Sequence, residues 1–180
     1  LYLSTQLLEL GIPVVMAVNM MDLVEKNGDK INIKALGRDM GCEVVEISAL
    51  KGTGIMEAAN KAVSQAGKKN FTPVHKFDAK VERALNDIEN LLGKDVKEEQ
   101  KRFYAIKLFE RDDKIAAQMT SVPNVENIIA EVEKAMDDDA ESIITNERYT
   151  YITSIIKDCY TKKNKNKLST SDKIDHIVTN

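Results

Sequence analysis

The chain has 180 residues, of which 43% are hydrophobic and 31% are charged, and its formal net charge is −3. This composition can fill a hydrophobic core and excludes a disordered chain, while the negative balance argues against general affinity for nucleic acid. Cys42 and Cys159 lie far apart and form no C-x-x-C, so a disulfide or zinc scaffold is not expected and a reducing compartment is favoured. The sequence begins at Leu1, without an initiator Met and inside a helical pattern, so we expect it to be a fragment.

The first residues predict a helix that leads into a buried strand. Leucines recur at near-helical spacing over residues 1–10 and are expected to pack on a sheet: Leu3, Leu7, Leu8 and Leu10. After a Gly-Ile-Pro break, the apolar run over residues 14–18 predicts a strand buried on both faces, as in a parallel sheet covered by helices. Residues 22–27 are expected to form a turn.

A helix, a second strand and a further helix complete the first part of the chain. The helix is predicted over residues 31–40 and ends at Gly41, and the strand covers residues 43–47. The next helix opens near Thr53, and six apolar positions at helical spacing are expected to face the sheet: Ile55, Ala58, Ala59, Ala62, Val63 and Ala66. Together these elements predict an α/β unit of parallel strands with flanking helices.

From residue 78 onward, strand signals vanish and one-sided apolar stripes predict an all-α helical bundle with its own core. The last helix, near residues 139–161, is expected to bury Ile144, Tyr151, Ile152, Ile155, Ile156 and Cys159. The pattern breaks over residues 67–73. We therefore predict an α/β domain over residues 1–70, a helical domain over 71–162 and a basic linker over 163–180.

Two polar side chains directly after the first predicted strand point to guanine recognition. Asp22 can accept hydrogen bonds from both donors on the guanine edge, the ring N1–H and the 2-amino group. Asn19 can donate to N7 and use its carbonyl oxygen to brace neighbouring loops. Adenine has an acceptor at N1 and no amine at C2, so it would leave a buried Asp22 unpaired, which is costly. The N-x-x-D spacing therefore predicts a base-specificity loop.

A second loop follows the second predicted strand, where the sequence reads Ser48-Ala-Leu-Lys-Gly-Thr-Gly54. In small G proteins the partner of N-x-x-D is an S-A-x loop whose backbone N–H groups approach guanine O6. The simpler alternative is a strand-to-helix loop that uses glycine for a tight turn. Because both motifs stand at strand ends in a βαβ order, we favour a guanine site formed by Asn19, Met20, Asp22, Ser48, Ala49 and Leu50.

The ordered set of motifs resembles the FeoB family of ferrous iron transporters. The N-M-M-D run after the first strand and the loop over residues 48–54 look like its G domain. Residues 104–110 are similar to a segment of its helical domain, and residues 146–149 and 171–180 resemble the approach to its first membrane helix. The resemblance spans essentially the whole chain, and it implies the C-terminal part of a P-loop GTPase domain followed by a helical domain.

Several functional expectations follow from that resemblance. It implies GTP or GDP as the ligand, a helical domain that modulates nucleotide affinity, and GTP hydrolysis by the full-length protein. It also implies a position on the cytoplasmic side of the cell membrane and an Fe²⁺ permease domain in the same chain, outside these residues.

The sequence departs from the family pattern at the phosphate site. It contains neither G-x-x-x-x-G-K-[ST] nor D-x-x-G, so we expect these motifs upstream of Leu1. Without them the phosphates lose their backbone cradle, their Lys and their Mg²⁺, and this fragment alone is expected neither to hydrolyse GTP nor to bind it tightly. Met20 also stands where many G proteins have Lys, and it can supply packing but no charge.

Other candidate sites are weaker. His75 and His176 lack metal-ligand spacing and are expected to be solvated or capping side chains. The acidic run Asp137-Asp-Asp139 is expected to cap a helix rather than to bind iron. No catalytic constellation is predicted.

The lysine-rich tail and the helical part each leave an alternative open. Lysines at 162, 163, 165 and 167 suit either a solvated linker or a segment that contacts anionic lipid ahead of a membrane span. The helices could also be an extension of a different small GTPase-like domain, or a protein-interaction module with no nucleotide role.

Overall fold

The computed structural model describes residues 1–67 and 74–163. We call residues 1–67 the sheet half and residues 74–163 the helical half. The sheet half contains α1 (Tyr2–Glu9), β1 (Val15–Val18), α2 (Met21–Asn27), β2 (Lys30–Ile31), α3 (Ile33–Met40), β3 (Glu43–Glu46) and α4 (Ile55–Gln65). The helical half contains α5 (Ala79–Leu91), a 3₁₀ turn (Glu98–Gln100), α6 (Lys101–Phe109), α7 (Asp113–Ala116), α8 (Glu126–Met136), α9 (Ala140–Cys159) and β4 (Tyr160–Thr161). The predicted fold class, parallel strands with flanking helices followed by a helical domain, is confirmed. The predicted boundary at residue 70 and residues 164–180, with His176, lie outside the described residues, so the domain limits stay a prediction.

The two longer strands pair in parallel. Val15 of β1 lies opposite Glu43 of β3, and Val18 lies opposite Glu46. A parallel pair needs a crossover connection, and the chain supplies it through α2, β2 and α3. The short strands β2 and β4 form a separate antiparallel pair that joins the sheet half to the end of α9. Both β1 and β3 therefore deliver their carboxyl ends to the same edge of the sheet.

The sheet is covered less than its apolar pattern predicts. Strand β1 is half-buried and Ala17 is exposed, so the prediction of burial on both faces is wrong for the described residues. Helix α4 contacts β1 and β3, but none of its residues is buried and Val63 is 75% exposed. Burial of a stripe depends on the elements that cover it, and the described elements leave most of α4 accessible.

Two further predictions in the sheet half are wrong. Helix α1 buries Thr5, Leu8 and Glu9, while Leu3 and Leu7, predicted to pack inward, are exposed. The structure forms helix α2 where a turn was expected after the first strand. The Met, Leu, Glu and Lys side chains of this segment favour helix.

The helical half has a continuous core, as predicted. Its buried cluster comprises Phe77, Val81, Ala84, Leu85, Ile88, Leu92, Val96, Ala105, Ile106, Leu108, Phe109, Val125, Ile129, Val132, Ala140, Ile143 and Ile144. Acidic side chains cap three of its helices: Asp78 begins α5, Asp112 begins α7 and Asp139 begins α9. The capping role predicted for the acidic run is thus confirmed at Asp139, whose carboxylate accepts from Ser142 N at 2.9 Å. Within residues 1–67 and 74–163, no cluster of three or more His, Cys, Asp or Glu side chains is placed to hold a metal ion.

Helix α9 belongs to both halves. Ile143 and Ile144 lie in the helical core, whereas Ile155 and Cys159 join a second cluster with Leu8, Ala35, Leu36 and Met40 of the sheet half. Ile156, predicted to be buried, is 45% exposed. Among the helices that the structure describes, neither α9 nor any other combines the length and the apolar character needed to cross a membrane.

A buried ion-pair network fastens α9 to α1. The guanidinium of Arg148 donates to both carboxylate oxygens of Glu9, at 3.0 and 2.8 Å, and to Glu110 at 2.7 Å. Burial works against the charge of Arg148, but its two carboxylate partners raise its pKa, so it remains a cation. Burial alone would raise the pKa of Glu9, yet His75 and Arg148 lower it below the ordinary value. The two halves therefore meet at paired, desolvated charges.

His75 lies in this junction and is not solvated, contrary to the prediction. Its side chain is 3% exposed and lies between the rings of Phe77 and Tyr151, with centroids 5.2 and 5.1 Å away. Its Nε2 is 3.3 Å from Glu9 Oε1. Local sequence could not show this, because Glu9 and Tyr151, two of the three groups that enclose His75, come from distant parts of the chain.

Candidate guanine-recognition site

The two predicted loops leave the sheet side by side. Ile47 N donates to Val18 O at 2.9 Å, and Met21 N donates to Ile47 O at 3.3 Å. These main-chain bonds extend the β1–β3 pairing by one step beyond the strand ends. They place the Asn19 loop and the Ser48 loop next to each other, at the edge where open α/β sheets bind ligands.

Asn19 connects the two loops. Its side-chain carbonyl Oδ1 accepts hydrogen bonds from Met20 N at 2.8 Å and from Ala49 N at 3.0 Å. With the oxygen used in this way, the amide nitrogen of Asn19 is left as the donor. The side chain is exposed and can present that donor to a ligand.

Asp22 lies in the first turn of α2 and is fixed from the second loop. Ser48 Oγ donates to Asp22 Oδ1 at 2.8 Å, and Ser48 itself is buried. A carboxylate oxygen has two lone pairs, so this bond leaves Asp22 with capacity to accept from two further donors. The arrangement matches what the guanine N1–H and 2-amino group require.

Apolar side chains flank these polar groups and are open to solvent. Met20 is 60% exposed and adopts a left-handed backbone conformation with φ 65°. Leu50 is 90% exposed, and Ala49 is also exposed. An aromatic base has two apolar faces, which exposed Met and Leu side chains are suited to cover. The structure thus brings all six predicted residues to one edge of the sheet.

The Ser48 loop is closed by residues that the sequence argument did not single out. Ser48 and Thr53 exchange two main-chain hydrogen bonds, at 3.1 and 3.2 Å, and Lys51 N donates to Ser48 Oγ at 3.3 Å. Gly54 has φ 75°, and a Cβ there would lie 2.1 Å from the main-chain oxygen of Glu46. The glycine at 54 was the available signal, since only glycine tolerates such close approach.

An open cavity of about 560 Å³ adjoins the loops. Asp22, Ser48, Lys51 and Thr53 contribute to its lining, but Asn19, Ala49 and Leu50 do not. The cavity therefore reaches only one side of the candidate site. The other predicted site residues, Asn19, Ala49 and Leu50, are exposed on the surface beside it.

Comparison with protein families identifies both halves. Residues 1–62 match the family model described as ferrous iron transport protein B, and residues 77–161 match the FeoB cytosolic helical domain. The two matches together cover most of the described residues.

Curated relatives are transporters of the same family. The chain is 31% identical to an Fe(2+) transport protein A/Fe(2+) transporter FeoB fusion protein of Porphyromonas gingivalis over 99% of its own length and 23% of that protein. It is 32% identical to the Fe(2+) transporter FeoB of Escherichia coli over 86% of its length and 20% of that protein. The chain thus spans about a fifth of the length of these relatives.

Solved structures of NFeoB from S. thermophilus have the same fold. A GDP-bound variant is 38% identical with a TM-score of 0.83, covering 89% of this chain and 63% of that one. An NFeoB bound to mGMPPNP is 36% identical with a TM-score of 0.77, covering 93% of this chain and 64% of that one. From these matches, the chain belongs to the FeoB family of ferrous iron transport proteins, within its cytoplasmic N-terminal region of G domain and helical domain.

Proposed function

We propose that this chain supplies the guanine-reading part of a FeoB G domain. The observation that carries the proposal is the pair of side-chain bridges between the loops, Asn19 to Ala49 N and Ser48 to Asp22. They leave an amide donor and a carboxylate acceptor in the pattern that guanine needs. NFeoB structures bound to GDP and to GMPPNP support the same ligand class.

The remaining contacts to the nucleotide lie outside these 180 residues in this proposal. A phosphate-binding loop would supply the backbone cradle, and Mg²⁺ would neutralise the phosphate charge. GTP hydrolysis, ferrous iron transport and a membrane permease domain belong to the longer protein in the same way. The names of the relatives, which are Fe(2+) transporters, support that assignment.

The position of the chain follows from the same assignment. In this proposal the chain lies on the cytoplasmic side of the cell membrane, ahead of the permease, and the match to the FeoB cytosolic helical domain supports that position. Lys162 and Lys163 begin a basic segment that could contact anionic lipid there, at about 1 kcal/mol per basic residue close to the surface. Retention on anionic but not on neutral vesicles, weakened by salt, is the expected signature.

Substitution of Asp22 tests the base-recognition proposal. The test uses the 180 residues joined to an upstream FeoB segment with a phosphate-binding loop, which we call the extended chain. Asp22→Asn keeps an oxygen for Ser48 but presents an amide donor to the 2-amino group of guanine. We expect GDP affinity to fall by at least ~10-fold, or about 1.4 kcal/mol, and xanthosine diphosphate affinity to rise, because xanthine has a carbonyl at position 2.

Two control variants accompany that measurement. Asn19→Ala should weaken GDP binding without improving the binding of xanthosine diphosphate. Asp87→Asn, an exposed acidic residue of α5, should change neither affinity. If Asp22→Asn binds GDP as well as the parent does, Asp22 does not read the base and the proposal is wrong.

A further inference from the structure

Helix α2 connects the guanine-reading loop to the end of α9, and it has little packing of its own. None of its residues is buried, and no side chain caps its first turn. A helix that buries so little surface is held mainly by what fixes its two ends.

The N-terminal end of α2 is fixed by the site itself. Met21 N donates to Ile47 O, and Asp22 accepts from Ser48 Oγ. Both contacts reach the Ser48 loop. They determine where the helix begins, but its direction depends on the contacts at its C-terminal end.

The C-terminal end of α2 is fixed by residues from the far end of the described chain. Asp29 Oδ2 accepts from the Tyr160 hydroxyl at 2.8 Å, and Asp29 Oδ1 accepts from Lys163 N at 3.1 Å. We call Asp29, Tyr160 and Lys163 the Asp29 clasp. The hydrogen bond to Asp29 raises the pKa of Tyr160, so its hydroxyl remains a donor at neutral pH.

Main-chain pairing reinforces the clasp. Strand β2 pairs with β4, and Asn32 N donates to Cys159 O at 2.7 Å. Gly28, which ends α2 with φ 74°, passes so close that a Cβ there would lie 2.5 Å from Lys163 Cδ. The end of α2 is therefore tied to the end of α9 by side chains and main chain together.

We propose that Asp29 is a positioning residue for guanine recognition, because the clasp sets the direction of α2. The direction of α2 in turn sets the orientation of the Asp22 carboxylate. The seven residues of α2 span roughly 10 Å between the clasp and the base-reading group, so a change in the direction of the helix moves that group. The inference rests on the proposed function and adds to it a determinant of specificity far from the base. By reciprocity, guanine nucleotide binding stabilises the clasp by the same factor.

The ratio of GDP affinity to inosine diphosphate affinity measures how well the Asp22 carboxylate is oriented towards the base. Inosine diphosphate lacks the 2-amino group, so the ratio reports the hydrogen bond that Asp22 accepts from that group. In the extended chain, Asp29→Ala should lower the ratio by about threefold or more, because a displaced carboxylate loses part of that bond. A variant that was merely less stable would weaken both nucleotides alike and leave the ratio unchanged.

Three further measurements complete the experiment. Tyr160→Phe, which removes one of the two clasp bonds, should lower the ratio less than Asp29→Ala does. Asp87→Ala on α5 should leave it unchanged. Hydrogen exchange of the Leu23 and Val24 amides, which both donate to Met20 O, should become faster in Asp29→Ala without nucleotide.

The outcomes separate the two proposals. If the parent extended chain shows no preference for GDP over ADP, the proposed function fails and the role of Asp29 fails with it. If the parent prefers GDP but Asp29→Ala keeps the parent ratio of GDP to inosine diphosphate affinity, only the positioning role is overturned.

Discussion

The sheet half and the helical half distribute burial very differently. The helical half buries seventeen apolar residues in one continuous cluster, whereas the sheet half contributes four to a smaller cluster that α9 completes. The predicted guanine-recognition residues all lie in the half with the smaller core, and four of them are exposed: Asn19, Met20, Ala49 and Leu50. Binding loops are commonly found where local stability is low, because they must adapt to a ligand. In this chain the helical half holds the larger core, and the sheet half carries the predicted recognition loops.

The junction between the halves is the exception to this contrast. It is polar, yet it is buried, and it joins residues 139 positions apart through Arg148 and Glu9. Breaking it is expected to cost more than any loss of packing in the sheet half.

The largest expected effect is at Arg148. Arg148→Ala leaves Glu9 and Glu110 buried without their shared cation, and should lower the free energy of unfolding by about 3–5 kcal/mol. Arg111→Ala is the matched control, because Arg111 also pairs with two carboxylates, Glu126 and Glu133, but is 40% exposed. It should cost about 1 kcal/mol or less. Urea unfolding of both variants measures the difference, and equal costs would show that burial of the junction does not matter.

The next effect compares one substitution in the two halves. Val81 in α5 is fully buried and Val63 in α4 is 75% exposed, although both positions belong to apolar stripes. Val81→Ala should lower the free energy of unfolding by about 2 kcal/mol, from the lost methyl groups and the cavity. Val63→Ala should change it by less than about 0.5 kcal/mol. A larger loss from Val63→Ala would mean that α4 is covered in solution.

The smallest effect concerns another contact between the halves, where the Tyr151 hydroxyl of α9 donates to the main-chain oxygen of Asp39. Tyr151→Phe should cost about 0.5–1.5 kcal/mol at neutral pH. Tyr149→Phe on the same helix, at a residue 56% exposed, is the control and should cost less.

This contact also predicts a dependence on pH. Burial, with the nearby charges of Asp39 and Cys42, raises the pKa of Tyr151 to about 12 from an ordinary value of 10.0. The folded state therefore favours the neutral phenol, and its contribution is fully present below pH 10 and is lost as the pH rises towards 12. Between pH 9 and 11, the parent should lose more unfolding free energy than Tyr151→Phe does. Parallel curves for the two proteins would contradict the burial of this hydroxyl.

Local patterns were sufficient for most of the elements, but not for helix α2 or the short strands β2 and β4. Strand and helix periods depend on neighbours a few residues away, so the two strands, the helical stripes and the cap at Asp139 could be predicted. The predicted guanine motifs could also be recognised in the sequence, because Asn19, Asp22 and Ser48 each come within a few residues of the end of a strand. A parallel sheet must then bring those strand ends together.

Tertiary structure alone decided which apolar faces are buried and how the halves connect. Val63 and Leu8 both lie in apolar helical patterns, yet one is exposed and the other is buried, because burial depends on partners distant in sequence. The same reason hid the Arg148–Glu9 pair, the enclosed His75 and the contact of Asp29 with Tyr160. The amino-acid sequence by itself determined most of the secondary elements, though not helix α2, and the residue types of the two predicted recognition loops. Only tertiary contacts decided what holds those loops in place, because the partners are distant in sequence: Asn19 and Asp22 bond to the second loop, and the end of α2 is attached to the end of α9.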